Sequence, residues 1–264
     1  MVGDRAPDAP AGTGDDPRSP TRAAARAPGY RARVPSRLTA LDVDAHDPAR
    51  AARFWSGLLG RTTVATADGV LVPGSATQLG LRFTASSAPR VGRDRMHLHL
   101  AGTDPADQRR TVESALRLGA RHLDVGQRPE EGHVVLADPE GGELCVIEPG
   151  TSFLAGCGFL AELTCEGSRE AGFFWSEVLD WPVVWDEGLQ TAIQSPLGGT
   201  KVSWDGPITP RHGRARQRLD LTAVGDLADE TARLTALGAA LLGVRPDGTV
   251  ELSDPDGNEF LLRV

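Results

Sequence analysis

Two histidines on one predicted strand are the first candidates for chemistry in this sequence. His97 and His99 lie in the run Met96–Leu100, and residues two positions apart on a strand point to the same face. Together with Cys145 they would supply the soft donors that hold Zn²⁺ or a similar ion. The interpretation we favour places both histidines as hydrogen-bonded residues of a cleft without a metal, since a metal site requires three or four ligands.

The corresponding strand in the second half of the chain carries different side chains. Arg218 and Asp220 stand where the first half has His97 and His99. A guanidinium group has no lone pair to offer a metal. This pair is therefore predicted to form an ion pair or to contact a polar ligand.

The first predicted strand of each half adds further polar candidates. Asp42 lies on the first of these strands, and Glu162 and Thr164 are its counterparts in the second half. If that face lines a cleft, Asp42 is a polar anchor or a base, whereas on an exposed edge its charge needs no functional explanation. Three tryptophans are candidates for the wall of a pocket for a planar ligand, namely Trp181, Trp185 and Trp204, although tryptophans more often belong to the core.

These candidates are positioned by an internal repeat. Phe54-Trp55-Ser56 recurs as Phe174-Trp175-Ser176, and Asp138-Pro139-Glu140-Gly141 recurs as Asp254-Pro255-Asp256-Gly257. Each copy contains a strand, an amphipathic helix and further strands, and then the same pattern again. The chain is therefore predicted to be of the α+β class, with four β-α-β-β-β units in tandem.

The repeat also predicts the domain limits. One copy occupies residues 37–149 and the other residues 153–264, with a Pro-Gly junction between them. Residues 1–36 are predicted to be a disordered leader, because they contain too few apolar side chains to offset their ordering entropy. The sequence leaves open whether the four units pair within each half or exchange between halves.

The Phe-Trp helix and the Asp-Pro-x-Gly hairpin, found together in both copies, resemble the vicinal oxygen chelate superfamily. This superfamily includes glyoxalase I and bleomycin-resistance proteins. The resemblance covers residues 37–264 and implies curved mixed sheets around a cleft. It also implies metal ligands on the first strand, at the end of the fourth, at the start of the fifth and on the last. His97 matches the fifth-strand ligand, whereas the last-strand position falls on Cys145 and the fourth-strand region Leu81–Thr84 contains no histidine or carboxylate.

Because this ligand set is incomplete, we expect a glyoxalase-like or bleomycin-resistance-like protein that binds a small organic molecule without a cofactor. The alternative is a metal-dependent lyase, isomerase or dioxygenase that uses His97 with Asp42, His99 or Cys145. Its divalent ion would be Zn, Ni, Mn or Fe and would polarise vicinal oxygens of the substrate. In either case we expect a monomer that is pseudo-dimeric by duplication, or a homodimer.

Composition excludes several other classes. The net charge of −8 argues against a nucleic-acid partner, and no apolar run is long enough for a signal peptide or a membrane span. Three cysteines without a Cys-x-x-Cys motif favour a reducing, cytoplasmic location. The sequence has no Gly-rich phosphate loop, Gly-x-Ser-x-Gly or His-Glu-x-x-His motif, which removes the nucleotide-binding, serine-hydrolase and zinc-protease interpretations.

Overall fold

The computed structural model describes residues 36–128, 130–210 and 213–264. The predicted leader, residues 1–36, lies outside the described residues except for Ser36. Within the described residues the chain forms four successive units, each with a strand, a helix and three further strands. None of the helices in this part of the chain is both long and apolar enough to cross a membrane.

The first copy contains units 1 and 2. Unit 1 consists of β1 Arg37–Ala45, α1 Pro48–Leu59, β2 Val64–Ala65, β3 Gly69–Val72 and β4 Gly80–Ala85. Unit 2 consists of β5 Met96–Ala101, α2 Pro105–Leu118, β6 Arg121–His122, β7 Val134–Ala137 and β8 Glu143–Ile147. A short 3-10 helix, Ser152–Leu154, connects the two copies.

The second copy contains units 3 and 4. Unit 3 consists of β9 Leu160–Glu166, α3 Arg169–Leu179, β10 Val183–Glu187, β11 Gln190–Gln194 and β12 Lys201–Asp205. Unit 4 consists of β13 Gln217–Thr222, α4 Leu227–Ala236, β14 Ala240–Val244, β15 Val250–Ser253 and β16 Glu259–Arg263. The order of elements is thus the same in all four units.

Hydrogen bonding pairs units from different halves of the chain. Sheet 1 combines units 1 and 4 in the order β14-β15-β16-β13-β1-β4-β3-β2, and sheet 2 combines units 3 and 2 in the order β10-β11-β12-β9-β5-β8-β7-β6. In both sheets the first strands of the two units form a central antiparallel pair, β1 with β13 and β5 with β9. The units therefore exchange between halves. The α+β class is confirmed, and the limits 37–149 and 153–264 stay a prediction about the sequence repeat.

The predicted β-α-β-β-β pattern implies a strand after each helix, but the sequence did not locate these four strands, β2, β6, β10 and β14, which form the sheet edges. These strands are short or largely exposed, and Val64 and Leu241 are examples of their solvent-facing apolar side chains. An edge strand pairs on one side only and needs no regular alternation of apolar and polar residues. Their sequences therefore lack the period-two pattern that revealed the central strands.

Helix α1 begins and ends where its sequence predicts. The Asp47 side chain accepts a hydrogen bond from the backbone N–H of Arg50 at 2.9 Å, and Pro48 occupies the first turn. Gly60 ends the helix in the left-handed conformation, with φ of 64°. The apolar face of the helix is buried against sheet 1, and Phe54 and Trp55 are its largest side chains.

A tryptophan–aspartate hydrogen bond ties each helix of this type to the late hairpin of the same copy. Trp55 Nε1 donates to Asp138 Oδ2 at 3.0 Å, and Trp175 Nε1 donates to Asp254 Oδ2 at 3.1 Å. The other Asp138 oxygen accepts the backbone N–H groups of Glu140 and Gly142 at 2.8 Å each. The two repeated motifs therefore contact each other, and they join units 1 and 2, and units 3 and 4, while the sheets join units across the copies.

We expect Trp55→Phe to destabilise the full-length chain by more than its loss of apolar volume explains. The substitution leaves Asp138 Oδ2 buried without its donor, which costs about 1–3 kcal/mol. Trp204→Phe is the matched control, because Trp204 is equally buried and makes no hydrogen bond to a carboxylate. Urea unfolding should place Trp55→Phe about 1–2 kcal/mol below the control. Equal losses for the two variants would show that the tryptophan–aspartate bond contributes nothing.

Candidate functional site

The open face of sheet 2, which is turned away from the helices, gathers polar side chains from both copies. In the central strands of this sheet, alternate residues such as Leu98 and Leu163 join the hydrophobic core on the helix side. The side chains between them face the other way. Strand register places His99 directly between Glu162 of β9 and Cys145 of β8. Pairing of β5 with β9 therefore builds one site from the two halves of the sequence.

Five side chains form what we call the histidine cluster. Its members are His97, His99, Cys145, Glu162 and Ser203. The two imidazole rings have centroids 4.8 Å apart, and the donor atoms of both histidines and of Cys145 all lie within 4.8 Å of one another. His99 Nδ1 lies 2.6 Å from Glu162 Oε2, and Ser203 Oγ donates to Glu162 Oε1. Since a carboxylate accepts, Nδ1 of His99 is the donor in the contact with Glu162.

Burial keeps two members of the cluster uncharged at neutral pH. Desolvation, reinforced by the neighbouring His99 and Arg93, lowers the pKa of His97 from 6.5 to about 3. Burial also raises the pKa of the Cys145 thiol to about 12, with the Glu143 and Glu162 carboxylates adding to the shift. His97 thus offers a neutral imidazole, and Cys145 offers a thiol that only a cation would deprotonate.

Three further residues surround the cluster, and only one of them, Trp185, was a pocket candidate from the sequence. Lys201 is paired with Glu162 in the strand register, and its ammonium group lies 4.6 Å above the Phe153 ring and donates to the Phe153 carbonyl. Phe153 packs edge-on against Trp185, with centroids 5.2 Å apart. The Trp185 Nε1 is buried and has no hydrogen-bond partner among the described residues. Lys201 is the only lysine in the chain, a feature that the sequence interpretation did not connect with a site.

On the open face of sheet 1, the charged side chains form ion pairs with one another. Arg218 contacts both Asp42 and Asp44, with Nη2 2.9 Å from Asp42 Oδ2. Asp220 is held between Arg82 at 2.9 Å and Arg263 at 2.8 Å. The two nearby carboxylates raise the pKa of Arg218 despite its burial. Of the two alternatives predicted for Arg218 and Asp220, the structure therefore has ion pairs. Each of these side chains is paired with a residue of opposite charge.

The sheets separate some residues that the sequence grouped together. Asp42 lies in sheet 1 and His97 in sheet 2, so Asp42 does not complete a site with His97. Glu162 and Thr164 of the second copy lie beside the histidines instead, with Thr164 opposite His97. Side chains from both copies therefore contribute to the open face of sheet 2.

Trp204 does not line the open face. Its ring stacks on Trp175 of α3, with centroids 6.2 Å apart and planes inclined by 12°, and the side chain is buried in the hydrophobic core. The neighbouring Ser203 points to the opposite face, where it joins the cluster. One position along the strand separates a core residue from a site residue.

Comparisons with known proteins find the same architecture elsewhere. A family model described as Glyoxalase-like domain matches residues 40–147 and again residues 161–263. The solved structure of glyoxalase I from Zea mays superposes with a TM-score of 0.60 at 15% identity, covering 86% of this chain and 92% of that one. A provisionally assigned dioxygenase from Bacillus subtilis gives a TM-score of 0.57 at 14% identity, covering 88% and 86%. Such identities show the fold alone. No curated protein matches the sequence.

The low pKa of His97 predicts a specific loss of stability in acid. Between pH 6.5 and 3 the unfolded chain binds a proton at His97 that the folded chain does not bind, so the free energy of unfolding falls as the pH falls. One pH unit in this window corresponds to about 1.4 kcal/mol. Relative to His97→Gln, the native chain should lose about 2 kcal/mol between pH 7 and pH 5. Parallel stability profiles for the two proteins in urea would contradict the prediction.

Proposed function

The chain belongs to the glyoxalase-like domain family, and we propose that it binds a small organic molecule on the open face of sheet 2. The observation that carries the proposal is the histidine cluster, in which five side chains from four strands converge on one spot. The family resemblance implies ligands on the first and last strands of paired units. In sheet 2 these strands are β5, β8, β9 and β12, which are the strands that carry the cluster.

The contrast between the two sheets supports sheet 2 as the binding face. In sheet 1 the aspartates and arginines neutralise one another through hydrogen-bonded ion pairs. Such a network has few free donors or acceptors for a ligand, and its charges are costly to separate. In sheet 2 the side chains of His97 and Cys145 are uncharged, and the described residues supply no hydrogen-bond partner for either. These groups remain able to contact a ligand.

The surroundings of the cluster favour a ligand that is partly aromatic and carries a hydrogen-bond acceptor. Phe153 and Trp185 form an aromatic wall, which suits a flat apolar group. The buried Trp185 Nε1 is a donor without a partner, and a ligand acceptor would relieve that desolvation penalty. Glu162, held by Ser203 and His99, is fixed as an acceptor for a ligand donor.

A ligand that binds here should change the fluorescence of Trp185. We expect a hit from a panel of small aromatic carbonyl and hydroxy compounds to quench or shift tryptophan emission, and Trp185→Phe to remove that response. Glu162→Gln should weaken binding about tenfold, because it removes a charged hydrogen-bond acceptor. Titration calorimetry gives the affinity independently of the fluorescence.

Trp181→Phe is the matched control for the fluorescence experiment. Trp181 packs against the core rather than beside Phe153, so its removal should leave the ligand response in place. A response that disappears in Trp181→Phe and persists in Trp185→Phe and Glu162→Gln would place the ligand elsewhere and overturn the proposal.

A second candidate function is metal-dependent catalysis at the same cluster. The observation that favours it is the close approach of the donor atoms of His97, His99 and Cys145, all within 4.8 Å of one another. Two imidazoles and a thiolate suit a borderline-soft ion such as Zn²⁺ better than a hard cation, which prefers carboxylates. The residues therefore fit a metal of that kind, although they differ from the ligand set that the family resemblance implies.

In that second function the chain's residues would have distinct tasks. A bound ion would polarise an oxygen of the substrate. His97 would ligate as the neutral imidazole that its low pKa provides. Glu162 would orient His99 through its Nδ1. Cys145 would have to release a proton on binding, since its thiol has a pKa of about 12 in the absence of an ion.

Metal analysis separates the two functions. The binding proposal expects the purified full-length chain to contain far less than one equivalent of Zn, Ni, Mn or Fe. Near-stoichiometric metal that is lost in His97→Ala and Cys145→Ser, but retained in Cys157→Ser, would overturn it in favour of the metal-dependent function. Cys157 is the matched control because it is also a buried free cysteine and lies outside the histidine cluster. Uptake of Zn²⁺ should then release a proton, which calorimetry in buffers of different ionisation enthalpy measures.

A further inference from the structure

The two segments that connect units within each copy share an arginine motif. Arg90-Val91-Gly92-Arg93-Asp94-Arg95 precedes β5, and Arg211-His212-Gly213-Arg214-Ala215-Arg216 precedes β13. Both read Arg-x-Gly-Arg-x-Arg. Arg211 and His212 lie outside the described residues, and the other arginines of both motifs lie around one cavity. The net charge of the chain is −8, whereas these two segments are positively charged.

The cavity between these segments has a volume of about 560 Å³. This lies within the range of roughly 300–1,000 Å³ that is usual for small-molecule sites. No member of the histidine cluster lines it. Part of its wall is apolar, with Val91, Met96 and Pro210 among the lining residues. Its charged lining residues are five arginines of the two motifs and four carboxylates: Asp44, Asp94, Glu140 and Glu259. The cavity is therefore a separate, partly apolar space whose charged lining contains more arginines than carboxylates.

The exposed charges at the rim are cationic, whereas their acidic partners are more buried. The Arg93 side chain is 68% exposed and its partner Glu143 only 16%. The Arg214 side chain is 53% exposed and its partner Glu251 only 28%. Each arginine has five N–H donors and uses few of them on its partner. Both guanidinium groups can therefore bind a second anion without leaving the carboxylates they already contact.

The last arginines of the two motifs differ in how their charge is compensated. Arg216 makes a two-point contact with the carboxylate of Asp94, with Nε 3.1 Å from Oδ1. Ala215 stands where Asp94 stands in the other motif, and Arg95 has no carboxylate partner among the described residues. It donates instead to neutral oxygens, the carbonyls of Thr209 and Asp256 and the side chain of Asn258. Within the described part of the chain, Arg95 is thus a guanidinium of the cavity wall that makes no direct contact with a carboxylate.

A buried amide adds an observation that is independent of the arginines. Gln217 lines the cavity and is only 8% exposed. Its Oε1 is buried and has no hydrogen-bond partner in the described part of the chain. A buried acceptor without a donor is unfavourable in a protein interior, because it has lost its hydrogen bonds to water. A ligand with an N–H or O–H group would supply the missing donor.

We propose that this cavity is a second ligand site that takes a small organic anion, with a carboxylate or phosphate group at the arginines and an apolar body inside. Guanidinium groups match both oxyanions in a two-point geometry. The partly apolar wall excludes a bare inorganic ion as the best occupant. The concave shape and small volume favour a small molecule over a polymer.

The proposal is tested with two dyes that share a ring system. We expect 8-anilinonaphthalene-1-sulfonate, an anion, to bind the full-length chain with enhanced emission, and N-phenyl-1-naphthylamine, which lacks the sulfonate, to bind at least about tenfold more weakly. The double variant Arg93→Gln/Arg214→Gln should weaken binding of the anionic dye about tenfold and leave the neutral dye unchanged. Arg95→Gln should have an effect of similar size.

Two controls assign the effect to this cavity. Arg109→Gln/Arg117→Gln removes the same charge from exposed positions on α2, one of which also pairs with a glutamate, and it should leave the affinity for the anionic dye unchanged. Glu162→Gln alters the histidine cluster and should also leave it unchanged. Dye binding that responds to Glu162→Gln and not to the arginine variants would overturn this proposal while leaving the proposed function intact.

Competition then distinguishes the two head groups. Phenyl phosphate and phenylacetate are each added to the dye complex, and displacement by either one supports the proposal and assigns the preferred oxyanion. Failure of both compounds to displace the dye at millimolar concentration would overturn it. So would equal binding of the charged and neutral dyes, because the arginines would then contribute nothing to recognition.

Discussion

The hydrogen bond between a buried tryptophan and a buried aspartate, made once in each copy, is the constraint on which the arrangement of the units depends. Trp55 and Trp175 come from the first helix of each copy, whereas Asp138 and Asp254 come from its last hairpin. Desolvation alone raises the pKa of Asp138, and the tryptophan donor counteracts that effect. The bond therefore holds consecutive units together through their helices and hairpins. The first strand of each unit remains free to pair, and it pairs with a unit of the other copy.

This division of contacts explains how much of the molecule the sequence predicted. The helix caps, the apolar helix faces and the hairpin turns are local features, and they occur where the sequence indicates. The pairing of β5 with β9 is a long-range event between two strands that no local pattern links. Residue types on the site strands were therefore identified, while their neighbours were not. Asp42 was grouped with His97, whereas the folded chain places Thr164 opposite His97 and Glu162 opposite His99.

Equivalent positions on the two open faces hold different kinds of buried polar side chain. In sheet 1, Arg218 and Asp220 belong to an ion-pair network that is close to neutral in its effect on stability, because the Coulomb attraction and the desolvation penalty nearly cancel. In sheet 2 the corresponding positions hold His97 and His99, and His97 stays uncharged because of its low pKa. An ion-pair network uses its own donors and acceptors, whereas the neutral His97 imidazole leaves hydrogen-bonding capacity unused. The two copies therefore differ at these positions in the charge of their side chains, while the order of their helices and strands is the same.

The covalent connection between the copies gives a physical reason why one sheet differs from the other. Units 2 and 3 are adjacent in the sequence, so the segment that joins them passes beside sheet 2 and places Phe153 against Trp185 and Lys201. Units 1 and 4 lie at opposite ends of the repeat, so no junction of this kind connects the two units of sheet 1. A duplication without fusion would produce two equivalent faces. Fusion makes them unequal, since it adds an aromatic wall to one face only, and the other face is occupied by ion pairs.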